Sequence, residues 1–250
     1  DYDALKRDDL ISYYQAAFKP ENCIIIAAGK FGEREFGLLD EFFGKDWSNS
    51  SPSVGNDFSY LPTGGRKIRI EKPESVQNAI RMGKLAINRA HEDFPAFQVL
   101  NTVLGGYFGS RLMANIREDK GYTYGIGSGA ASLKHAGYFF IATEVGADVC
   151  EQALVEIYKE IETLRTTKVS DEELELVRNY MLGSLLGSLE NIFSHADKFK
   201  NLYFSNLGYD YYRKYINTVK NISAEEIQKI AKTYLDPAGF VEVVVGKTTS

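Results

Sequence analysis

Two side chains in the middle of the chain have the types and the spacing to bind a polar substrate. Arg117 is predicted to lie at the C-terminal end of a helix over Ser110–Asp119, and Tyr124 on a strand that follows Gly121. A sharp turn at that glycine would bring the guanidinium and the phenol together above a sheet. Arginine offers bidentate donors and tyrosine one hydroxyl donor, which suit peptide carbonyls or a developing oxyanion.

The same two residues also have a purely structural interpretation. An arginine near a helix C-terminus offsets the helix dipole, and tyrosine is a good strand former. Residue type and spacing leave both interpretations open. Arg111 and Tyr122 are nearby side chains of the same types that we expect to be structural, so they serve as internal controls.

The histidines do not predict a metal site. The whole supply is His91, His135 and His195, and no two of them have the i, i+4 spacing of ligands on one helix face. A catalytic zinc needs three protein ligands and an open position, and no HxxEH or HxxxH pattern is present to start one. His91 precedes two acidic residues, but at an expected helix start, where acids are favoured. We therefore expect no metal and no other cofactor on this chain.

The glycine-rich segment LGGYFGSRL invites comparison with a phosphate loop. It lacks the lysine of such a loop and follows a predicted helix rather than a strand, which argues against nucleotide binding. Gly105 and Gly106 then form either a simple turn or a loop that contacts substrate, and both interpretations stay open. Gly125, Gly127 and Gly129 recur at every second residue of a predicted strand, which indicates close backbone approach on one face.

Composition limits the class of protein. With 44% hydrophobic and 25% charged residues, the chain has the make-up of a globular protein with a buried core. The net charge is −5 and the basic residues are scattered, which argues against a nucleic-acid surface. No apolar run approaches the roughly 20 residues that span a bilayer. Cys23 and Cys150 exclude a disulfide framework and a thiolate metal cage, but leave a single bridge between them open.

A distant internal repeat organises the chain. Residues 8–30 (DDLISYYQAAFKPENCIIIAAGK) and 225–247 (EEIQKIAKTYLDPAGFVEVVVGK) align without a gap at an offset of 217 residues. Each copy has the pattern of an amphipathic helix, a proline that stops it and a buried strand that ends at glycine. Pro20 matches Pro237, and Gly29 matches Gly246.

A repeat at this distance indicates duplicated domains. We expect residues 1–45 to be the tail of an upstream homologous domain, with a helix, a strand and a helix. Residues 46–65, rich in Ser, Pro, Gly and Asn, are expected to be a linker, and 66–250 a complete domain. The sequence begins at Asp1 without a signal-peptide pattern, so we expect a fragment or a processed product of unknown localisation.

Within residues 66–250, strands are predicted before most of the helices. The predicted strands are Lys67–Glu71, Val76–Ile87, Tyr122–Ser132 and Gly137–Val145. The predicted helices are Phe94–Leu104, Ser110–Asp119, Asp148–Arg165 and a long one from Ser170 to about Ser205. Capping boxes are expected at Ser170 with Glu173 and at Ser223 with Glu226. This order favours an α+β fold, a mainly antiparallel sheet with helices packed on one face.

Four stretches, in order and spacing, resemble the insulinase/pitrilysin family of inverted-motif zinc peptidases, which includes the mitochondrial processing peptidases. They are Asp93–Phe97 (DFPAF), Val99–Gly106 (VLNTVLGG), Ser110–Leu112 (SRL) and Ile116–Tyr124 (IREDKGYTY). The repeat with its proline and closing Gly-Lys is also similar to the ends of the family's domains, although Lys30 and Lys247 stand where an Asp is frequent. The resemblance covers essentially the whole chain.

The resemblance implies a protein with two homologous halves around an enclosed chamber. One half carries HxxEH, a distal Glu ligand and the zinc, and the other contributes an Arg and a Tyr seven residues apart that bind substrate. Arg117 and Tyr124 match that spacing. The chain is then the non-catalytic half, inactive in isolation, whose partner is a zinc-bearing half in the same parent chain or a separate subunit. Its substrates are then peptides.

The resemblance leaves a second function open. Core subunits of respiratory complexes have the same fold and act as structural or interaction proteins without a role in proteolysis. Retention of Arg117 and Tyr124 favours the peptidase function. The loop from Gly105 to Ser110 lies where the non-catalytic processing-peptidase subunit carries a longer glycine-rich loop, so a role in substrate recognition would have to be met by a shorter segment.

Overall fold

The computed structural model describes residues 2–44, 47 and 64–247, which fall into two compact units. The first unit draws its described residues from 1–60 and 189–200, and the second from 61–188 and 201–250. The predicted linker at 46–65 lies almost entirely outside the described residues, so the division of the chain at residue 66 stays a prediction. No helix in the described ranges is long and apolar enough to cross a membrane.

The second unit is built on a five-stranded sheet. Its strands are β1 (Arg66–Glu71), β2 (Gln77–Ala86), β3 (Ile126–Ser132), β4 (Gly137–Gly146) and β5 (Val241–Gly246). They lie in the order β1-β5-β2-β4-β3. Among these strands only β1 and β5 pair in parallel. The prediction of a mainly antiparallel sheet is therefore confirmed.

Helices cover one face of this sheet. The helices of the two units are α1 (Arg7–Ala17), α2 (Glu33–Phe43), α3 (Phe94–Asn101), α4 (Cys150–Thr166), α5 (Asp171–Gly187), α6 (Ile192–Phe204), α7 (Asp210–Asn221) and α8 (Ala224–Tyr234). Along β4, Phe139 and Ile141 are buried while Tyr138 and Phe140 are exposed, the alternation of a sheet with one covered face. The buried side shares one apolar core with helices of the second unit, among them α4 through Ile157. The predicted α+β class is confirmed.

Both predicted helix caps are formed. The Ser170 hydroxyl accepts a hydrogen bond from Glu173 N at 3.2 Å. Ser223 and Glu226 form a full capping box, with bonds of 3.2 Å and 2.8 Å. Each cap satisfies backbone N–H groups that have no partner inside the helix, which explains why these helices begin where the sequence predicts.

The long helix predicted from Ser170 to about Ser205 is wrong, because the chain breaks it into α5 and α6. The first ends at Gly187, and the second begins after Asn191, whose Oδ1 accepts a bond from Ser194 N at 2.9 Å. Asparagine is a strong helix-starting residue because its side chain caps the first free N–H groups. The tyrosine-rich helix α7 is also absent from the prediction.

The two copies of the repeat share their local structure up to the final strand. Helices α1 and α8 have matching bounds, and each is followed by a 3-10 turn, Pro20–Asn22 and Pro237–Gly239. The closing glycines agree as well, with φ of +149° at Gly29 and +157° at Gly246. The segment Cys23–Ala28, where a strand is expected, forms no ladder within the described residues, whereas β5 pairs with β1 and β2, so the helix-strand-helix arrangement of residues 1–45 stays a prediction. Ladder bonds to neighbouring strands hold a strand, and here none is supplied.

Candidate substrate-binding site

Arg117 lies in the last turn of a helix with an unusual hydrogen-bond register. The helix begins as an α-helix at Arg111 and continues as a π-helical segment over Met113–Asp119. Buried Leu112 and Ile116 anchor it to the core. Such π-helical turns are rare and occur frequently at functional sites. The predicted helix is therefore present, but its register could not be predicted from the sequence.

Tyr124 projects from a turn that its neighbour holds in place. Gly121 adopts φ +67°, and the Thr123 hydroxyl donates to the Glu144 carbonyl of β4 at 2.7 Å. This side-chain bond takes the place of a backbone ladder bond, so β3 begins two residues after Tyr124. The strand predicted from Tyr122 is thus too long, and the predicted position of Tyr124 on it is wrong.

The phenol of Tyr124 is open to solvent. Tyr124 is 93% exposed and makes no hydrogen bond or ring contact with the described residues. A tyrosine that stabilised a strand would pack its ring against cross-strand neighbours. The structural interpretation therefore does not account for this side chain.

Arg117 has an aromatic contact and unused donors. Its Cζ lies 4.7 Å from the centroid of the Phe108 ring, and its Nη1 is 4.0 Å from Glu118 Oε1. The guanidinium donates no hydrogen bond to the described part of the chain. No direct contact joins Arg117 to Tyr124 in that part either, so the predicted meeting of the two groups is not observed as a contact.

The two control residues are engaged within the fold. Arg111 donates from Nε and Nη2 to the two carboxylate oxygens of Glu173, at 2.8 Å and 2.7 Å. Burial lowers the pKa of this guanidinium, but the hydrogen bond and charge of Glu173 outweigh it and the net shift of the pKa is upward. Tyr122 packs its ring against the core, and its N–H donates to the Ile116 carbonyl at 3.0 Å. Both have the structural roles that we expected.

Packing accounts for Gly105 and Gly106 without a ligand. A Cβ on Gly105 would lie 2.7 Å from Ser128 N and 2.6 Å from Ser128 Oγ, so only glycine lets this π-helical segment approach β3. A Cβ on Gly106 would lie 3.0 Å from the Asn101 side chain. Of the three alternating glycines, only Gly127 meets a backbone, with its Cβ 3.4 Å from the Gly105 carbonyl, whereas Gly125 has open space and Gly129 faces the Phe140 ring, so the predicted backbone approach along one face is only partly correct. Contact of the loop with substrate stays a prediction.

Two of the three histidines form hydrogen bonds with residues nearby in the sequence. His91 Nδ1 accepts the Asp93 N–H at 3.1 Å, and His195 Nε2 bonds to the Leu189 carbonyl at 3.0 Å. Within the described ranges, no group of three His, Cys, Asp or Glu side chains could hold a metal ion. Cys23 and Cys150 are both free thiols, so the bridge that the sequence left open is not formed.

Sequence reasoning missed two residues that shape the site. Phe108 lies under the Arg117 guanidinium, and Thr123 holds the turn that presents Tyr124. Phe108 could have been noticed from the sequence, because a phenylalanine in a short loop between a helix end and a glycine has few apolar neighbours to pack against. Thr123 carries none, because its bond to β4 depends on how distant segments pack.

The chain belongs to the peptidase M16 inactive-domain family, whose model matches residues 4–181. Among curated proteins it is similar to an uncharacterized zinc protease of Bacillus subtilis (strain 168), YmxG, with 29% identity over 74% of this chain and 44% of that protein. It is also similar to YmfF of the same organism, described as a probable inactive metalloprotease, with 19% identity over 98% of this chain and 57% of that one.

A solved structure agrees with this assignment at the level of the fold. A peptidase M16 inactive domain from Pseudomonas fluorescens superposes with a TM-score of 0.86 at 22% identity, over 99% of this chain and 59% of that one. The chain therefore spans about half the length of the relatives it matches. The predicted resemblance to a zinc-peptidase family, and to its inactive domains in particular, is confirmed.

Proposed function

We propose that this chain is the substrate-binding, non-catalytic half of a zinc metallopeptidase, in which Arg117 and Tyr124 hold the peptide backbone beside the metal of another half. The observation that carries this proposal is the difference in hydrogen bonding and packing between this pair and its neighbours of the same residue types. Both side chains keep their donors free, while Arg111 and Tyr122, of the same types and nearby, are engaged in the fold. A guanidinium and a phenol match the carbonyls of a peptide and the oxyanion that forms when it is hydrolysed.

A catalytic zinc needs three protein ligands, and the described residues bring no such group together. We propose that the metal lies in a half that carries HxxEH, either in the same parent chain or in a separate subunit. In this arrangement the present chain supplies hydrogen-bond donors that orient the peptide, and it cleaves nothing alone.

The exposed first copy of the repeat supports the presence of a second homologous half. Ile227 and Leu235 of the second copy are 0% exposed, whereas the equivalent Leu10 and Phe18 are 59% and 61% exposed. The same local structure thus presents an apolar face that the first unit does not cover. We propose that residues 1–45 complete an upstream domain of the same architecture, in which the Cys23–Ala28 segment becomes a central strand equivalent to β5.

Hydrogen exchange tests this domain proposal directly. Amides of residues 24–28 should exchange rapidly in the isolated chain and become protected when the upstream half is present, because ladder bonds protect strand amides. Amides of β5 should be protected in both samples and serve as the reference. Equal exchange of residues 24–28 in the two samples would refute the proposed domain.

A reconstitution experiment tests the proposed function. The chain alone should bind no stoichiometric zinc by elemental analysis and cleave no fluorogenic peptide, whereas the assembly with an HxxEH half should cleave it. In the assembly, the double variant Arg117→Ala/Tyr124→Phe should lose most of its catalytic efficiency. The matched control is Arg213→Ala/Tyr122→Phe, which removes an exposed arginine of α7 and the hydroxyl of the packed tyrosine. If both double variants keep full activity, the structural or interaction function becomes the better one.

A further inference from the structure

We infer that Phe108 is a positioning residue for Arg117, a ring on which the guanidinium rests so that its N–H groups stay directed at the substrate. This inference rests on the proposed function. The Arg117 Cζ lies 4.7 Å above the ring centroid, inside the range of a cation–π contact. Among the described residues, this is the only ring contact of Phe108.

The geometry of the contact leaves the donors of Arg117 available. A guanidinium is planar, and its five N–H groups point outward in that plane. A phenyl ring has no nitrogen or oxygen to accept a hydrogen bond, so the contact at 4.7 Å holds the group without pairing these donors to an acceptor. Arg111 shows the opposite arrangement, in which Glu173 occupies two donors on one edge. An arginine held by an aromatic ring is thus ordered and still able to bind a peptide carbonyl.

The loop that carries Phe108 is anchored on both sides of the ring. Before it, Gly105 packs against Ser128 of β3, and the Tyr107 ring packs at a tilt against Tyr180 of α5 with centroids 4.8 Å apart. After it, Ser110 N bonds to the Tyr107 carbonyl at 3.2 Å. These contacts order the backbone at residues 107–110, so Phe108 presents a fixed surface.

Packing does not explain Phe108 itself. The residue is 63% exposed, so it buries little of the apolar surface that would stabilise the fold. Its defined effect is on Arg117, whose long side chain would otherwise lose rotamer freedom each time a substrate binds. Ordering the side chain in advance removes part of that cost from binding.

The test uses the assembled two-half enzyme with a fluorogenic peptide. Phe108→Leu keeps an apolar side chain but removes the ring, and it should lower kcat/KM roughly two- to fivefold, the effect of one exposed cation–π contact. Phe108→Tyr restores a ring and should stay near the wild-type value. In an Arg117→Ala background, Phe108→Leu should cause no further loss, because its effect passes through the arginine. Phe193→Leu, at an exposed phenylalanine of α6, is the control.

An NMR measurement on the chain itself reports the contact without catalysis. The Arg117 side-chain protons should be shifted by the ring current of Phe108, and the shift should vanish in Phe108→Leu. Its absence in the wild type, or an unchanged kcat/KM of Phe108→Leu while Arg117→Ala is impaired, would overturn the positioning role and leave the proposed function intact. If Arg117→Ala is itself fully active, the proposed function fails and this inference fails with it.

Discussion

Arg111 and Arg117, and with them Tyr122 and Tyr124, are pairs of identical residue types that the fold uses in different ways. The earlier member of each pair is engaged: Arg111 by Glu173, and Tyr122 by the core. The later member donates no hydrogen bond within the described residues: Tyr124 is exposed, and the half-buried Arg117 contacts the Phe108 ring and lies 4.0 Å from Glu118. Six positions along a helix lead to a different face, and the turn at Thr123 separates the two tyrosines. The direction in which each side chain points, rather than its residue type, thus separates the structural residues from the proposed binding residues.

The largest expected effect lies on the activity of Arg117 variants. Arg117→Ala should lower kcat/KM of the assembled enzyme roughly ten- to a hundredfold, because charge-assisted hydrogen bonds contribute about 1.5–3 kcal/mol. Arg117→Lys should not restore activity, since an ammonium lacks the planar fork of donors. Steady-state kinetics with a fluorogenic peptide measure both. Recovery of full activity by lysine would show that charge alone matters.

Arg111 variants are expected to lose stability where Arg117 variants lose activity. Arg111→Ala should lower the free energy of unfolding by about 1–3 kcal/mol, because it leaves the partly buried Glu173 carboxylate without its bidentate partner. Arg117→Ala should lower it by no more than about 1 kcal/mol, because it removes only the contact with the Phe108 ring. Urea unfolding of the chain, followed by circular dichroism, compares the two. Equal destabilisation by both variants would remove the distinction between the pairs.

The smallest effect is expected at the tyrosines. Tyr124→Phe removes one neutral hydroxyl and should lower kcat/KM roughly two- to tenfold, with unchanged thermal stability because the ring packs against nothing in the described residues. Tyr122→Phe keeps its packed ring and should leave activity unchanged. Kinetics and thermal melts of the two variants, prepared in parallel, provide the measurement. A loss confined to Tyr122→Phe would reverse the assignment of the site.

Much of the fold could be predicted because its signals are local. The caps at Ser170 and Ser223 and the hairpin of β3 and β4 follow from residues close together in sequence. The split between α5 and α6 was missed although Asn191 is a capping residue, since the apolar pattern runs on through it. The π-helical register at Met113–Asp119 was missed because propensities do not distinguish it from an α-helix.

The candidate site was predicted in its residues and only partly in its geometry. The types and spacing of Arg117 and Tyr124 made them candidates but left a structural interpretation open, and the family resemblance favoured the binding role, which stays a prediction. Their presentation depends on Thr123 bonding to β4 and on Phe108 beneath the guanidinium. Both contacts join segments that come together only through packing, so no sequence pattern predicts them.

The repeat separates what the sequence by itself determined from what only the tertiary structure decided. Both copies contain a helix, a 3-10 turn and a closing glycine with positive φ, because prolines, glycines and helix periodicity act between near neighbours. Only the second copy gains a strand and a buried helix face. Ladder bonds and apolar burial need partner segments from elsewhere in the chain, so the surroundings of each copy decided between β5 and an unpaired segment.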